Sequence, residues 1–399
     1  MAILSDIACF VEDKVRSSDI ELSYYITTDC ILPNKQGRTI AQNLPPQECS
    51  LTRYTKSDVL IANIRPYLKK IWYADCEGGC SNDVLVLRVL PNHSSAFLFA
   101  ALSNDRFFDY VMMGTKGSKM PRGDKDQIMR YKIPMMMTYN EEESIGRMIL
   151  SIERKIKTNQ EINHNLEAMA KQLYDYWFVQ FDFPNADGKP YKSSGGKMMW
   201  NKKFNRELPS EWTDGKLIDI ATITMGQSPD GSSYNEDGNG TLFYQGSTDF
   251  GVRFPSVRQY TTSPSRMANK GDILMSVRAP VGAMNIANND CCIGRGLSAL
   301  NSKIGSITHL YYILNDLRVA FEQHNAAGTT FGSITKDDLH NLPVIVPPND
   351  IMEKFEKLCQ PMFDIQMKLG EEIEDLIKLR EELLPLLMNG QVSVNYDLT

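Results

Sequence analysis

The chain has 399 residues, of which 42% are hydrophobic and 23% charged, and this composition excludes a disordered or fibrous protein. It carries 43 Lys and Arg against 49 Asp and Glu, and the net charge of −6 argues against a protein that binds nucleic acid through overall positive charge. No apolar run reaches the ~18 residues of a membrane span, and no signal peptide is visible, so we expect a cytoplasmic protein.

Four short motifs recur in the same order at offsets of 211 to 214 residues, which indicates two tandem copies of one unit. The matching pairs are Leu4–Ala8 with Leu217–Ala221, Ser57–Leu60 with Gly271–Leu274, Gly114-Thr115 with Gly328-Thr329, and Lys125–Ile128 with Lys336–Leu339.

The front part of each copy, residues 1–140 and 207–348, mixes strand-type runs with turn signals. Val84–Leu87 and Leu342–Val346 are typical strands, whereas Phe97–Val111 and Thr308–Gln323 favour helices. We therefore predict two α+β domains of about 140 residues, each large enough for its own core. We call them the first head and the second head.

The back part of each copy, residues 141–180 and 349–390, has apolar residues at steps of three and four, the pattern of a coiled-coil seam. A helix of about 40 residues with one apolar stripe needs a partner, and the other copy is the obvious one. We predict two long antiparallel helices that separate the heads. The alternative is two ordinary core helices of one large domain. Residues 181–206 are turn-rich and predict a linking loop, and residues 391–399 form a tail.

Motifs of catalysis are absent from the sequence. We find no phosphate-binding loop, no nucleotide-binding G-x-G-x-x-G after a strand, no nucleophile elbow, no H-E-x-x-H zinc motif and no Asn-Pro-Pro-aromatic motif of amino-methyltransferases. The eight cysteines include no C-x-x-C pair, and the five histidines do not cluster, so we predict no metal site. This pattern favours a recognition protein over an enzyme.

The negative charge is concentrated in the long helices and the tail. Residues 141–180 and 349–399 together carry −8, while the heads with the linker carry +2. Basic residues in the heads lie beside glycines, prolines and aromatics, a setting in which Lys and Arg neutralise phosphates and Arg or Gln can contact base edges. The predicted DNA-binding residues are Arg65, Lys69, Lys70, Lys116, Lys119, Arg122, Arg253, Arg258, Gln259, Arg266, Arg278 and Arg295.

Several stretches make the chain resemble the specificity subunits of type I restriction-modification systems. In the second copy they are Leu208–Trp212, Met225–Pro229, Gly271–Ser276, Gly294–Leu297 and Leu386–Gly390; in the first they are Asn63–Tyr67, Gly117–Arg122, Tyr176–Phe178 and Asp182–Pro184. The resemblance covers essentially the whole chain. The first head departs from the pattern, because nothing in it matches Leu208–Trp212. Its edge strand is expected from the linker, from Val392–Tyr396, or not at all.

The resemblance implies an α+β fold with two tandem target-recognition domains, related by a pseudo-twofold axis and held apart by the two antiparallel helices. Each domain would recognise one half of a bipartite, asymmetric sequence in double-stranded DNA. The helices would dock two methyltransferase subunits, to which motor-nuclease subunits add. The predicted partner-binding residues are Ile152, Ile156, Leu166, Leu173, Ile365, Leu369, Leu376 and Leu383.

The resemblance further implies that this chain is not catalytic and binds no cofactor itself. S-adenosylmethionine, ATP and Mg²⁺ are expected on the partner subunits. Three alternatives stay open on the sequence alone. The first is the specificity subunit of a type IIB-like system. The second is a fused DNA-modifying enzyme with an unrecognised active site, and the third is a coiled-coil scaffold without a role on DNA.

Overall fold

A computed structural model describes residues 2–115, 119–134, 138–251, 253–326 and 333–394, without the side chains of 319–326. The chain forms two compact units. Unit 1 comprises Met1–Asn159 and Ile373–Thr399, and unit 2 comprises Gln160–Glu372. The helix and sheet content is mixed, as the α+β prediction requires.

Unit 1 contains two four-stranded sheets and one two-stranded sheet. The first four-stranded sheet has the order β2-β9-β6-β7 and is antiparallel, and the second has the order β3-β5-β8-β4, with β4 and β8 parallel. The strands are β1 (Ala2–Ile3), β2 (Ala8–Phe10), β3 (Lys14–Arg16), β4 (Tyr25–Ile26), β5 (Ser50–Tyr54), β6 (Val59–Ala62), β7 (Ile71–Tyr73), β8 (Gly78–Cys80), β9 (Val84–Val89) and β10 (Lys132–Ile133).

Four short helices accompany these sheets in unit 1, namely α1 (Leu4–Ile7), α2 (Ser95–Leu102), α3 (Asp105–Met113) and α4 (Lys125–Met129). The helix predicted over Phe97–Val111 is broken into α2 and α3. Asn104 causes the break, because its side chain accepts a hydrogen bond from the Arg106 N–H (3.0 Å) and starts a new helix. Helix α2 is apolar from Ala96 to Leu102, and these residues are buried in the core of the unit.

Unit 2 repeats this plan. Its antiparallel sheet has the order β14-β22-β19-β20, and its second sheet again contains a parallel pair, β16 with β21. The strands are β11 (Met198–Asn201), β12 (Arg206–Pro209), β13 (Thr213–Lys216), β14 (Ala221–Met225), β15 (Tyr234–Asn235), β16 (Thr241–Tyr244), β17 (Gln259–Thr261), β18 (Met267–Ala268), β19 (Ile273–Ser276), β20 (Met284–Ile286), β21 (Cys291–Ile293), β22 (Leu297–Ser302) and β23 (Pro343–Val346). The short helices are α6 (Leu217–Ile220), α7 (Ile307–Ala326) and α8 (Lys336–His340).

Two long helices complete the chain, α5 (Tyr139–Tyr174) and α9 (Asn349–Met388). Within unit 2 they run antiparallel, since the Gln366 side chain donates to the Asn163 carbonyl (3.1 Å) and the Trp177 ring lies 5.6 Å from that of Phe355. Residues 171–180 and 381–390 have an identical order of buried, half-buried and exposed positions. The sequence repeat is therefore visible in the structure of the helix ends.

The compact units differ from the predicted division into heads and helices, because each contains parts of both long helices. The physical reason is packing. In unit 1 the end of α9, with Leu384 and Leu387, joins the core of the first head. In unit 2 the end of α5, with Tyr174 and Trp177, joins Phe355 in an aromatic cluster beside the second head. The C-terminal end of each helix thus packs on the head of the other repeat.

The structure bears on two expectations about connections, and the first is corrected. The linker 181–206 is not wholly a loop, since β11 within it pairs with β12 and both contribute side chains to the aromatic cluster of unit 2. In the first head β1 pairs with β10 as β13 pairs with β23 in unit 2, so β1 matches β13 and not Leu208–Trp212. Of the three alternatives for that strand, its absence from the first head fits the described residues. None of the helices in the described ranges is long and apolar enough to cross a membrane.

Candidate nucleic-acid interface

In unit 2 three glycines allow two loops to pack against each other at the ends of strands β14 and β21. A Cβ on Gly226 would lie 2.2 Å from the carbonyl oxygen of Gly294, and one on Gly296 would lie 2.8 Å from that of Gln245. The loops are joined by backbone hydrogen bonds, including one from the Gln227 N–H to the Ile293 carbonyl (3.0 Å). Only glycine fits these contacts, so the motifs Met225–Pro229 and Gly294–Leu297 form one local structure.

Three exposed arginines lie around this glycine-packed turn, each from a different segment. Arg295 lies in the turn itself. The backbone carbonyl of Arg266 accepts a hydrogen bond from the Ile293 N–H (2.9 Å), and Val277, next to Arg278, donates to the Gly296 carbonyl (2.9 Å). A guanidinium is always charged and suits bidentate contacts to phosphates or guanine edges. The structure thus brings Arg266, Arg278 and Arg295 to one exposed region.

The other residues predicted in the second head have intramolecular contacts or lie on a strand. Arg258 pairs with the buried carboxylate of Asp249, with Nε 2.8 Å from Oδ1. Gln259 is half-buried on β17. The assignment of Arg253 to DNA is corrected, because its guanidinium donates to Gln366 (3.1 Å) and lies 5.4 Å from the Phe363 ring centroid. Burial lowers the pKa of Arg253, as expected of a packing position.

In unit 1 the two basic clusters of the sequence lie side by side. The first basic loop, residues 63–70, and the second basic loop, residues 119–123, are joined by hydrogen bonds from the Arg65 N–H to the Pro121 carbonyl (2.8 Å) and from the Gly123 N–H to the Asn63 carbonyl (3.1 Å). Gly123 suits this close approach, since a Cβ would lie 2.7 Å from the Asn63 side-chain oxygen and would displace that side chain. The side chains of Arg65 and Lys119 are exposed on these loops.

The remaining DNA-binding candidates of the first head differ in whether their charged groups are exposed or held by contacts within the chain. Arg122 is exposed and pairs with Asp83 at 2.5 Å. Lys69 pairs with Asp105 at 2.5 Å, and Lys70 donates to the Thr28 carbonyl at 2.6 Å, so both hold the loop in place. Lys116 lies outside the described residues.

The heads share the position of these loops. An isolated bridge joins Ile64 to Arg122 in unit 1, and another joins Arg278 to Ser333 in unit 2. Both bridges link the loop after the central strand to the segment before a short helix, β6 with α4 and β19 with α8. The basic regions of the two units are therefore at equivalent places in one repeated fold.

The long helices carry exposed apolar residues spaced by seven, which we call the exposed stripes. They are Ile162, Met169 and Tyr176 on α5 and in the turn that extends it, Leu358 and Ile365 on the part of α9 in unit 2, and Leu379 and Leu386 on its part in unit 1. Of the predicted partner-binding residues, Ile365 is on a stripe, and Leu166, Leu173, Leu369, Leu376 and Leu383 are half-buried. Ile152 and Ile156 are buried within the chain, so their assignment to a partner is corrected. The periodicity of the apolar residues predicted the seam of the two helices, but it did not predict which of these residues face solvent.

Two further features were missed or left open by the sequence. Gln227 is exposed beside Arg295, and only its place in a family motif pointed to it. Lys35 is buried in an ion network, although no local pattern distinguishes it.

In the described part of the chain, no group of three or more His, Cys, Asp or Glu side chains is arranged to hold a metal ion. The Cys76 thiol lies beside Arg38 and Tyr54, and burial raises its pKa.

One family model and several known proteins are similar to this chain. A family model for the type I restriction modification DNA specificity domain matches residues 209–378. A putative type I restriction enzyme MjaX specificity subunit of Methanocaldococcus jannaschii is 29% identical over 278 residues, which are 68% of this chain and 61% of that protein. The MjaIX specificity subunit of the same organism is 23% identical over 367 residues, 87% of this chain and 80% of that protein.

A solved structure shows the same fold. The crystal structure of a type-I restriction-modification system S subunit from M. genitalium has a TM-score of 0.60 at 13% identity, covering 97% of this chain and 95% of that one.

The second repeat is therefore similar to the DNA specificity domain of type I restriction-modification systems. The chain as a whole is related to the specificity subunits of these systems, and the resemblance predicted from its motifs is confirmed.

Proposed function

We propose that this chain is the DNA sequence-recognition subunit of a type I restriction-modification complex. Each head recognises one half of a bipartite, asymmetric site in double-stranded DNA. The observation that carries the proposal is that three segments with exposed arginines, Arg266, Arg278 and Arg295, are hydrogen-bonded around one glycine-packed turn in unit 2. The basic loops with Arg65, Lys119 and Arg122 occupy the equivalent place in unit 1.

The proposal includes the finer arrangement of the fold. The two heads are target-recognition domains, and α5 and α9 act as an antiparallel spacer that gives the chain its pseudo-twofold symmetry. The shared strand order of the antiparallel sheets of the two units and the identical burial order of the two helix ends support this arrangement.

The partners follow from the same relationship. Two methyltransferase subunits dock on the exposed stripes of α5 and α9, since apolar residues at seven-residue intervals suit helix-to-helix packing. Motor-nuclease subunits add to that core in the cytoplasm. The chain itself is non-catalytic, and S-adenosylmethionine, ATP and Mg²⁺ are held by the partner subunits. The comparisons do not favour a fused enzyme, a scaffold or a type IIB-like system.

Reciprocal substitutions test the assignment of the two half-sites. We expect Arg295→Ala to weaken binding of the complete bipartite site by about 5- to 100-fold, because an arginine contact to a base edge contributes about 1–3 kcal/mol. Footprinting of the chain with its methyltransferase would show the loss at the second half-site only. Arg65→Ala is the matched control and would reduce protection of the first half-site only.

The salt dependence of DNA binding distinguishes contacts to phosphates from contacts to bases. Loss of a phosphate contact lowers the slope of log affinity against log salt by about one, whereas loss of a base contact changes the preference between bases. The assignments are wrong if both variants protect both half-sites as the unaltered chain does.

A further inference from the structure

Six charged side chains of unit 1 form a continuous series of ion pairs, which we call the ion network. Lys69 Nζ lies 2.5 Å from Asp105 Oδ2, and Asp105 Oδ1 lies 2.7 Å from Lys35 Nζ. Lys35 Nζ is also 2.8 and 2.9 Å from the two carboxylate oxygens of Glu381. Arg380 continues the series, 2.7 Å from Glu381 and 2.6 Å from Glu153.

The middle of the network is buried. The Lys35 side chain is 3% exposed and that of Arg380 is 5% exposed. Burial raises the pKa of Asp105, but the hydrogen bonds from Lys35 and Lys69 outweigh it and hold that pKa below its usual value. Buried charges of this kind are tolerated only when paired, so each side chain restricts the position of its neighbours.

One end of the network is the first basic loop. The N–H groups of Asn34 and Lys35 donate to the carbonyls of Leu68 (2.9 Å) and Lys69 (3.0 Å), which joins the two segments. Lys35 (φ +62°), Arg65 (φ +53°) and Lys69 (φ +51°) all adopt the left-handed conformation, which is unfavourable for residues other than glycine. Such strain persists where surrounding contacts enforce it. The contacts of Asn34 and Lys35 with Leu68 and Lys69 therefore hold the loop that presents Arg65 in one conformation.

The other end of the network is the helix pair. Glu381 and Arg380 belong to α9, and Glu153 belongs to α5. The network therefore runs without a gap from the proposed DNA-binding loop to the parts of both long helices that lie in unit 1. Asp105, the first residue of α3, connects the loop to Lys35, because its carboxylate pairs with both Lys69 and Lys35.

Unit 2 is built differently at the corresponding place. The offset of 210 residues between the helix ends puts Ala170 at the position of Arg380 and Phe363 at the position of Glu153. There Arg253 meets the Phe363 ring and a neutral amide, that of Gln366. In the described residues of that unit, these positions hold no counterpart of the ion pair between Arg380 and Glu153. Unit 2 does have ion pairs between its head and the helices, Lys270 with Glu371 and Lys171 with Asp316, but these side chains are 31–56% exposed, whereas Lys35 and Arg380 of the ion network are buried.

We infer that Lys35 is a positioning residue, which fixes the first basic loop on the helix pair and thereby sets where the first half-site must lie. This inference rests on the proposed function. A single ammonium group joins the carboxylate on the loop side, Asp105, to the carboxylate on the helix side, Glu381. Removing it leaves Lys69 paired with Asp105, and Arg380 shared between Glu381 and Glu153, a group with one net negative charge. The first head then remains folded, but its position on the helix pair is less tightly fixed.

The test measures spacer discrimination by the chain bound to its methyltransferase. Duplexes carry the mapped bipartite site with its natural spacer or with one base pair added or removed. We expect the unaltered chain to prefer the natural spacer and Lys35→Met to reduce that preference at least about fivefold. Glu381→Gln, which keeps the shape of the side chain, should act in the same direction, and Lys35→Arg should restore the preference. Lys354→Met, which removes an exposed pair with Asp350 on α9, is the matched control.

The outcomes are distinguishable. Unchanged spacer discrimination in both Lys35→Met and Glu381→Gln overturns the inference and leaves the proposed function standing. A general loss of stability lowers binding to all spacers equally, so equal loss on the three duplexes also overturns it. If the unaltered complex binds no sequence preferentially, the proposed function fails and the inference fails with it.

Discussion

At the level of single residues, the sequence predicted the exposed arginines best where glycines bracket them. Arg295 stands in Gly294-Arg295-Gly296, and that spacing indicates a tight turn with an outward side chain. Arg253 misled the prediction, because it also lies near a glycine, Gly251, but its guanidinium packs on Phe363, more than 100 residues further along the chain. Lys35 could not be predicted, since its partner Glu381 is 346 residues away.

His309 gives a prediction about stability. It is buried among aromatic rings, with the Phe178 ring centroid 4.4 Å from its own, and desolvation lowers its pKa from 6.5 to about 3. Between these values the unfolded chain binds a proton that the folded chain does not, so the free energy of unfolding falls as pH falls below 6.5. We expect a loss of about 1.4 kcal/mol per pH unit in this window.

Urea unfolding at pH 7.5 and pH 5.5 would measure this effect. His309→Gln should show a smaller difference between the two pH values than the unaltered chain. His164, which is exposed on α5, provides the control, since His164→Gln should keep the full difference. Equal pH dependence of the chain and His309→Gln would show that His309 does not carry it.

At the level of elements, the helix periodicity predicted two long helices, and the structure has them as α5 and α9. The apolar pattern could not predict whether each apolar side chain faces the protein or solvent. An a/d pattern identifies a seam, but the residues beside it face either the head or solvent depending on tertiary packing. Ile156 and Ile162 are chemically alike, yet the first is buried and the second is exposed.

The exposed stripe of α5 gives a prediction about assembly. Met169 is half exposed between Ile162 and Tyr176, at the centre of the stripe. We expect Met169→Ser to weaken binding of the methyltransferase about tenfold, as truncation of a central apolar contact does. Surface-immobilised chain titrated with the purified methyltransferase would measure it.

The control for this variant is Ala168→Ser, one residue along the same helix and off the stripe. It should bind the methyltransferase as the unaltered chain does. If Met169→Ser also binds with unchanged affinity, the methyltransferase docks elsewhere.

At the level of the whole molecule, the duplication was evident from four short motifs, because both copies need the same turns and caps at the same places. The division into compact units was not evident. Sequence order suggests a head followed by its own helix, whereas the end of α9 packs in the core of the first head and the end of α5 packs in unit 2. Packing between residues more than 200 positions apart leaves no local pattern in the sequence.

The net charge of −6 is compatible with this account, because the charge is not uniform. The long helices and the tail carry the negative charge, and the exposed arginines lie on loops of the heads. The whole-chain value therefore averages a protein-binding part and a proposed DNA-binding part.

The measurement that tests the account most directly is a genome-wide map of methylated bases in cells that express this chain with its methyltransferase. We predict one bipartite, asymmetric motif whose two halves are separated by a spacer of fixed length. Arg65→Ala should reduce discrimination at the first half and Arg295→Ala at the second. Methylation at a single continuous motif, or methylation that does not depend on this chain, would contradict the claim that two heads each recognise one half of the site.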